Sequence, residues 1–250
     1  MPSLSVILIT KNEAANIRAC LESVAWADEI IVVDSGSTDD ATAIAREMGA
    51  KVYEHDWPGF GLQKNRALGY ATSDWVFSID ADERVTPELR AEIENVLMAE
   101  QASDSYLVPR VSNYCGRFMY HSGWYPDLLL RLFKRGKAHF TDDLVHERLV
   151  VEGSSDKLTS QLLHYAFDDI EEVLHKVNQY STAGAAMMYK RGKKSSLIGA
   201  VVRGLWSFFR TYILRGGILD GREGLMLAIS NAEGTYYRYL KLMILNRNRK

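Results

Sequence analysis

Leu4-Ser5-Val6-Ile7-Leu8-Ile9-Thr10 and Glu29-Ile30-Ile31-Val32-Val33-Asp34 are two short apolar runs rich in β-branched residues. Each is closed by polar turn formers, Asn12 after the first and Ser35-Gly36-Ser37 after the second. Runs of that length with those ends read as buried strands. Between them Asn12 is placed to cap a helix from Glu13 to about Ser23, with Ile17, Cys20, Leu21 and Val24 on one face.

The alternation repeats outward from this unit. Ser37 or Thr38 caps a helix that turns Ile44 and Met48 inward and stops at Gly49. Lys51–Glu54 is a third strand, 63–71 a helix and 75–79 a fourth strand; Thr86 then caps a helix with Pro87 in its first turn, running to about Ala99. Repeated β-α-β units with short apolar strands specify a parallel sheet covered by helices on both faces. Beyond Ser105 the runs 106–111, 128–133 and 148–151 read as strands without helices between them, an antiparallel or mixed extension of the sheet. The last third reads as helical. Asp168 is the expected N-cap, with Glu171 at the third helical position, of a helix ending near Tyr189. The basic knot Lys190-Arg191-Gly192-Lys193-Lys194 follows, then helical stretches near 196–214 and 222–245. Two domains are expected, a catalytic one over 1–165 and a helical, basic one over 166–250.

Of the 250 residues, 47% are hydrophobic and 25% charged, ordinary globular usage that excludes disorder, collagen and coiled-coil rods. Cys20 and Cys115 are too far apart in sequence for a zinc ribbon or a disulfide framework. They read as reduced small hydrophobes, which suits a reducing compartment. Met1-Pro2-Ser3 carries no positive charge and the run at 6–9 is too short for a signal-peptide core, so a protein that stays in the cytosol is expected. The most apolar region, 197–214, is interrupted by Arg203 and Arg210, so no spanning helix is expected. The net charge of −2 hides an asymmetry. Residues 1–157 hold 16 Lys and Arg against 25 Asp and Glu, whereas 158–250 hold 14 against 7. An acidic body with a basic tail points to an anionic partner for the tail.

Ligands of open α/β sheets bind beyond the carboxyl ends of the strands, which puts 10–13, 34–38 and 80–83 on one rim. A single aspartate after a strand more often caps a helix or forms a turn; three polar clusters together are harder to dismiss. The sharpest is Ser78-Ile79-Asp80-Ala81-Asp82-Glu83. Two aspartates one residue apart at a strand end project to the same side. Like charges so close repel, which raises one pKa or calls for a cation. A divalent metal, Mg2+ or Mn2+, answers that need, and magnesium commonly sits on one or two carboxylates together with phosphate oxygens and waters. A phosphate-bearing ligand is therefore expected with it. Lys64 and Arg66, on the helix before that strand, are solvated on the plain reading and neutralise a diphosphate on the functional one.

These segments resemble the inverting nucleotide-sugar glycosyltransferases of family two, which have the GT-A fold. The match is carried by Ser5-Val6-Ile7-Leu8-Ile9-Thr10-Lys11-Asn12-Glu13, Ile31-Val32-Val33-Asp34-Ser35-Gly36-Ser37-Thr38-Asp39, Gln63-Lys64-Asn65-Arg66-Ala67 and Ile79-Asp80-Ala81-Asp82-Glu83. Within the family the chain is most similar to the lipopolysaccharide core β-1,4-glucosyltransferases. That similarity extends to Trp124-Tyr125-Pro126-Asp127, Arg131-Leu132-Phe133 and Val145-His146-Glu147, and only loosely to the helical tail. The resemblance implies a Rossmann-like, mostly parallel sheet with a mixed extension. It also implies a UDP-sugar donor, UDP-glucose first, and a lipid-linked saccharide acceptor such as the heptose of the inner core. Thr10, Glu13 and Asp34 would line the uridine pocket, Lys64 would lie near the uracil or phosphates, Asp82 would ligate the metal, and Asp80 would lie near the ribose or metal. Many relatives have two consecutive aspartates after the second strand; here the second is Ser35, which leaves the uracil contact to Asp34 alone or to a backbone group.

An inverting transfer needs a general base for the acceptor hydroxyl. The candidates are Asp127, Asp142, Asp143 and Glu147, with Asp127 and Glu147 near equals. His146 is a further candidate metal ligand beside the plainer reading of a buried, hydrogen-bonded ring. On a strand it points away from Glu147, so the two would not share one metal unless the backbone bends.

In the tail, Leu197, Ile198, Val201, Val202, Leu205, Trp206, Phe208, Phe209, Tyr212 and Ile213 cover most of a helix, with Arg203, Ser207 and Arg210 on the remaining stripe. Such a helix suits a membrane interface, and the preceding basic knot adds attraction to anionic lipid. The plainer alternative packs the stripe on the rest of the chain or on a second subunit. Nucleic acid is not an expected partner, because the aromatics form an apolar stripe. A peripheral enzyme on the cytoplasmic face of the inner membrane is expected. The other readings are a polyprenyl-phosphate or other cell-surface polysaccharide glycosyltransferase, a nucleotidyltransferase, a methyltransferase and a non-catalytic membrane adaptor. The second and third lack the glycine-rich loop they need after the first strand: Lys11-Asn12-Glu13-Ala14 has no glycine.

Overall fold

The computed structural model describes residues 2–141 and 148–247. The elements are β1 (Leu4–Thr10), α1 (Ile17–Val24), β2 (Glu29–Asp34), α2 (Ala41–Glu47), β3 (Lys51–Glu54), α3 (Phe60–Tyr70), β4 (Trp75–Ser78), β5 (Glu83–Val85), α4 (Pro87–Met98) and β6 (Ser105–Tyr114). They continue with β7 (Arg117–Phe118), β8 (Asp127–Lys134), β9 (Ala138–Phe140), β10 (Leu149–Val151), β11 (Ser155–Lys157), β12 (Leu162–His164), α5 (Ile170–Lys190), α6 (Leu197–Phe209) and α7 (Gly221–Arg247). Two compact units result, Met1–Arg110 with Asp127–His164, and Val111–Pro126 with Tyr165–Lys250.

The first unit is built on a sheet of order β3-β2-β1-β4-β8-β6-β12-β5. Its β3, β2, β1 and β4 are parallel, in the register Thr10↔Asp34 and Leu4↔Trp75. The extension is mixed: β4 pairs antiparallel with β8, β8 with β6 and β12 with β5, while β11 runs parallel to β6. This is the parallel sheet with a mixed extension that the sequence implied, in the GT-A arrangement. The alternation of the strands sends Val6 and Leu8 to one face and Ile7 to the other. Val6, Leu8, Val32 and Phe77 pack with Ile17 and Leu21 of α1 and Leu89 and Ile93 of α4. Ile7, Ile31, Val33 and Val76 pack with Ala67 of α3 and with Phe133 and Phe140. Both faces are thus covered, which is why these strands are continuously apolar.

The starts of α1 and α2 differ from the sequence expectation for one physical reason: the polar residues after β1 and β2 are engaged in bonds within and between those two loops. Asn12 adopts a left-handed φ of 57°, which asparagine tolerates. Its N–H donates to Ser37 Oγ (2.9 Å) and its Oδ1 accepts from Thr38 N (2.8 Å). It therefore caps no helix, and α1 begins four residues later than expected, at Ile17. Ser37 is likewise engaged with Asp34, and α2 begins at Ala41 without a side-chain cap. The α4 start is as expected, with Leu89 N donating to Thr86 Oγ1 (3.1 Å) and Pro87 in the first turn. The cap of α5 is Asp169 rather than Asp168, and its side chain accepts from Glu172 N (2.9 Å). The short strands β5 and β12 were not expected at all. They pair antiparallel in the register Glu83↔His164.

In the second unit the end of β6 pairs with β7, and α5, α6 and α7 supply the helices. α6 runs into one π turn (Arg210–Leu214), and a 3-10 turn (Gly217–Asp220) then leads into α7. Gly224 is required there, because a Cβ would stand 1.9 Å from the Gly217 carbonyl oxygen. Buried Asp220 ties the turn to 120–122, accepting from Tyr120 N (3.2 Å), His121 N (3.2 Å) and Ser122 Oγ (2.8 Å). A small core of Tyr114, Met119, Val173 and Leu227 holds this unit together. Ala200, Gly204 and Thr211 are buried, while Ile198 is 77% exposed and Leu205 66%. The stripe of apolar residues on α6 therefore stays open within the chain. Among the described residues Leu197–Leu214 is the one helix long and apolar enough to cross a membrane, at mean hydropathy 1.3, although the two arginines argued against a span.

Candidate active site

Parallel pairing of β1 with β4 brings their carboxyl ends side by side, and Ile79 N donates to Ile7 O (3.1 Å) just beyond them. The chain then turns through Asp80-Ala81-Asp82, with Glu83 N donating to Asp80 O (3.0 Å). Glu83 anchors this turn. Its carboxylate is fully buried; Oε2 accepts from Asp80 N (2.9 Å), and Oε1 accepts from Arg110 Nη1 (3.0 Å) and Arg131 Nη2 (2.6 Å). Removing a buried carboxylate from two guanidinium groups would leave uncompensated charge, so the turn is held rigidly.

Arg131 Nη2 also donates to Asp80 Oδ2 (2.6 Å), and Lys64 Nζ lies 3.2 Å from Asp80 Oδ1. Burial alone would push the Asp80 carboxyl up; the charges of Arg131 and Lys64 outweigh it and hold Asp80 well below the usual carboxylate range. Against the effect of burial, the carboxylates of Asp80 and Glu83 hold the Arg131 guanidinium above its ordinary value. The repulsion expected between Asp80 and Asp82 is therefore relieved for Asp80 by protein cations.

Asp82 faces another partner. Its Oδ2 lies 3.3 Å from His164 Nε2, which the β5–β12 register carries to this point. Its side chain is 34% exposed. A carboxylate oxygen beside an imidazole nitrogen is a donor pair that suits Mn2+, and with added phosphate oxygens and water also Mg2+. Among the described residues no group of three or more His, Cys, Asp or Glu gathers; Asp82 and His164 could supply two protein donors to a divalent cation. His146, Glu147, Asp142 and Asp143 lie outside the described residues.

Around this turn lies a cavity of about 440 Å3. Thr10, Glu13, Lys64, Asp80 and Asp82 line it, five of the residues singled out from sequence. Thr10 Oγ1 is buried there without a hydrogen-bond partner among the described residues, an orphan that a ligand can satisfy. The lining also includes Lys11, Trp57 and Phe60. The two aromatic rings stand edge to face, 4.7 Å between centroids, and both are partly exposed.

Asp34, Ser35 and Arg66 are not in the lining. Asp34 Oδ2 accepts from Gly36 N (2.8 Å) and Ser37 N (2.8 Å), and Oδ1 accepts from Ser37 Oγ, so both oxygens shape the turn. Ser35 Oγ accepts from Gln63 Nε2 (2.9 Å). Arg66 is bound to Asp56 (2.8 Å) and Gln63 (3.0 Å). Asp127 is held by Arg110, whose Nε (3.1 Å) and Nη2 (2.7 Å) both donate to Oδ2.

Glu83, Arg110, Arg131, His164, Trp57 and Phe60 were not singled out as site residues. Glu83 and Arg131 stood inside quoted motifs, where their charge was a usable signal. His164 had none, since only strand register brings it to Asp82.

Residues 5–189 match the profile of Glycosyl transferase family 2. The chain belongs to that family. This glycosyltransferase is 33% identical over 258 residues to an uncharacterized glycosyltransferase of Rickettsia felis, across 97% of this chain and 90% of the relative. It is 31% identical over 256 residues to the lipopolysaccharide core biosynthesis glycosyltransferase LpsC of Rhizobium meliloti, across 94% and 93% of the two chains. A solved structure, the glucosyl-3-phosphoglycerate synthase of Mycobacterium tuberculosis with Mn2+, UDP and glucosyl-3-phosphoglycerate, is similar at 29% identity and TM-score 0.38, over 45% of this chain and 44% of that one. The family makes the glycosyltransferase an enzyme, as the sequence motifs implied, and sets aside the nucleotidyltransferase, methyltransferase and adaptor readings.

Proposed function

We propose that this glycosyltransferase moves a hexose, glucose first, from a UDP-sugar onto a lipid-linked saccharide of the lipopolysaccharide core type, with inversion. The observation that carries the donor side is the cavity at the ends of β1 and β4, in which Thr10, Lys11, Glu13, Lys64, Asp80 and Asp82 surround one space. Lys64 and Lys11 supply positive charge for a diphosphate. The orphan hydroxyl of Thr10 and the faces of Trp57 and Phe60 suit a nucleoside, the rings as stacking surfaces. Asp82 and His164 would hold the divalent cation, which when bound supplies positive charge to the departing diphosphate.

The chain's own groups do the rest. Arg131 and Glu83 fix Asp80 and so fix Lys64, which keeps the cationic wall preorganised rather than reoriented during transfer. Asp127 is the proposed general base: Arg110 grips Oδ2 and leaves Oδ1 without a hydrogen bond among the described residues. Oδ1 takes the proton of the acceptor hydroxyl as that oxygen bonds to the anomeric carbon and UDP leaves from the opposite face. Glu147 is the rival for this role.

The helical unit is read as a peripheral anchor on the cytoplasmic face of the inner membrane. The exposed Ile198, Val202, Leu205 and Phe209 support this, together with Lys190, Arg191, Lys193 and Lys194. The test is release of UDP from a panel of UDP-sugars, with and without a core saccharide on lipid A. Acceptor-dependent release from one UDP-sugar supports the reading; no release from any UDP-sugar overturns it.

A further inference from the structure

The helical unit contains a second and larger cavity, of about 720 Å3, walled by α5, α6, α7 and the segment 122–124. None of its lining residues belongs to the donor cavity. Five are cationic, Lys176, Arg203, Arg210, Arg215 and Arg238, and none is aspartate or glutamate. In the other unit Arg18, Arg46, Arg66, Arg90, Arg110 and Arg131 each face a carboxylate. Here no ion pair involves any of the five among the described residues.

Two of these cations bond to neutral groups. Lys176 Nζ donates to Ala166 O (3.2 Å) and lies 4.5 Å over the Phe167 ring. Arg203 donates to Gly199 O (3.0 Å), and its guanidinium stands 4.6 Å over Tyr239. Arg238 Nε is buried with no hydrogen-bond partner among the described residues. Five like charges around one void repel, and a buried N–H without an acceptor is costly. An anion in the void removes both penalties. Guanidinium forks match the oxygens of a phosphate in particular.

The surroundings narrow the source of that phosphate. Trp206 lines the cavity and is itself 54% exposed on α6, the helix that presents Val202 and Leu205 outward. A cationic hollow at the edge of an apolar helix face is the arrangement that takes a charged headgroup while acyl chains meet the apolar face. We propose that this cavity is a binding site for the phosphomonoester headgroup of a membrane lipid. Only the lipid half of the proposal rests on the membrane-facing reading of α6; the anion half rests on the cavity itself.

The test is calorimetric binding to the full chain of dihexanoyl phosphatidic acid below its micellar concentration, of dihexanoyl phosphatidylcholine, and of inorganic phosphate. Phosphatidic acid is expected to bind saturably and more tightly than phosphate, and phosphatidylcholine not to bind. Arg238→Gln and Arg203→Gln are expected to weaken phosphatidic acid by about tenfold or more, the loss of one charge-assisted hydrogen bond. Arg210→Gln, at the exposed rim, carries the same expectation if Arg238→Gln does not fold. Asp82→Asn should leave this binding unchanged, which separates the site from the donor reading. Equal affinity for phosphate and phosphatidic acid would remove the lipid half. No binding of either, or unchanged binding in folded Arg203→Gln and Arg210→Gln proteins, overturns the proposal.

Discussion

Asp82 Oδ2 and His164 Nε2 stand 3.3 Å apart, joined by the pairing of β5 with β12 across 82 residues of chain. Asp80, by contrast, is held by two cations, Lys64 and Arg131. In the proposed function the two aspartates of the Asp80-Ala81-Asp82 turn have different work, Asp80 ordering the cationic wall and Asp82 offering a ligand atom.

Asp82→Asn and His164→Ala are each expected to lower turnover on the order of a hundredfold or more, as loss of a preorganised electrostatic group does. Circular dichroism should be unchanged, since neither side chain belongs to the apolar cores of the sheet. UDP release measures the effect. Wild-type turnover in His164→Ala would remove that residue from the site.

Chelation should stop turnover reversibly, and added Mn2+ or Mg2+ should restore it. Full activity in excess chelator would count against a cation in this reaction.

Glu83 lies under the turn with no solvent contact, between Arg110 and Arg131. Glu83→Gln is expected to cost about 3 kcal/mol of stability, because it takes from Arg110 and Arg131 the buried carboxylate they share and leaves each with one partner, Asp127 and Asp80. Urea denaturation reads this directly. A cost no larger than that of a surface substitution would mean that the network does not hold the turn.

The acid limb of stability carries a second signature. Burial raises the Glu29 carboxyl, but the bonds from Lys51, Ser5 and Thr72 outweigh it and bring the pKa down to about 2. A folded value below the unfolded one gives stability that is fully present above about pH 4.5 and fades as pH falls towards 2. Glu29→Gln should therefore cost about 2 kcal/mol at neutral pH and almost nothing near pH 2. A cost independent of pH would show that packing, not charge, is the cause.

On the helical unit, Leu205→Ser with Phe209→Ser should abolish sedimentation with anionic vesicles and leave the melting temperature within a few degrees of wild type, both residues being exposed. Sedimentation equal to wild type would favour burial of this face against protein.

Much of the first unit was legible in the sequence. Strands β1, β2 and β4 are continuously apolar because both faces of the sheet are covered, so their ends, and hence the rim, could be read directly. Asn12, Asp34 and Ser37 were harder. Their side chains have two outlets, helix cap or turn, and long-range bonds between the β1 and β2 loops chose the turn. β5 and β12 are three residues each, too short for any period to show, and so His164 was invisible. Trp57 and Phe60 flank a Pro-Gly turn with no regular pattern, and only the folded chain brings them to the cavity.

The most direct measurement is Mn2+ titration by electron paramagnetic resonance in the presence of UDP, on wild type, Asp82→Asn and His164→Ala. One UDP-dependent Mn2+ site is expected in the wild type, lost or strongly weakened in both variants. Equal Mn2+ binding in all three proteins, or none in the wild type with UDP present, would contradict that expectation.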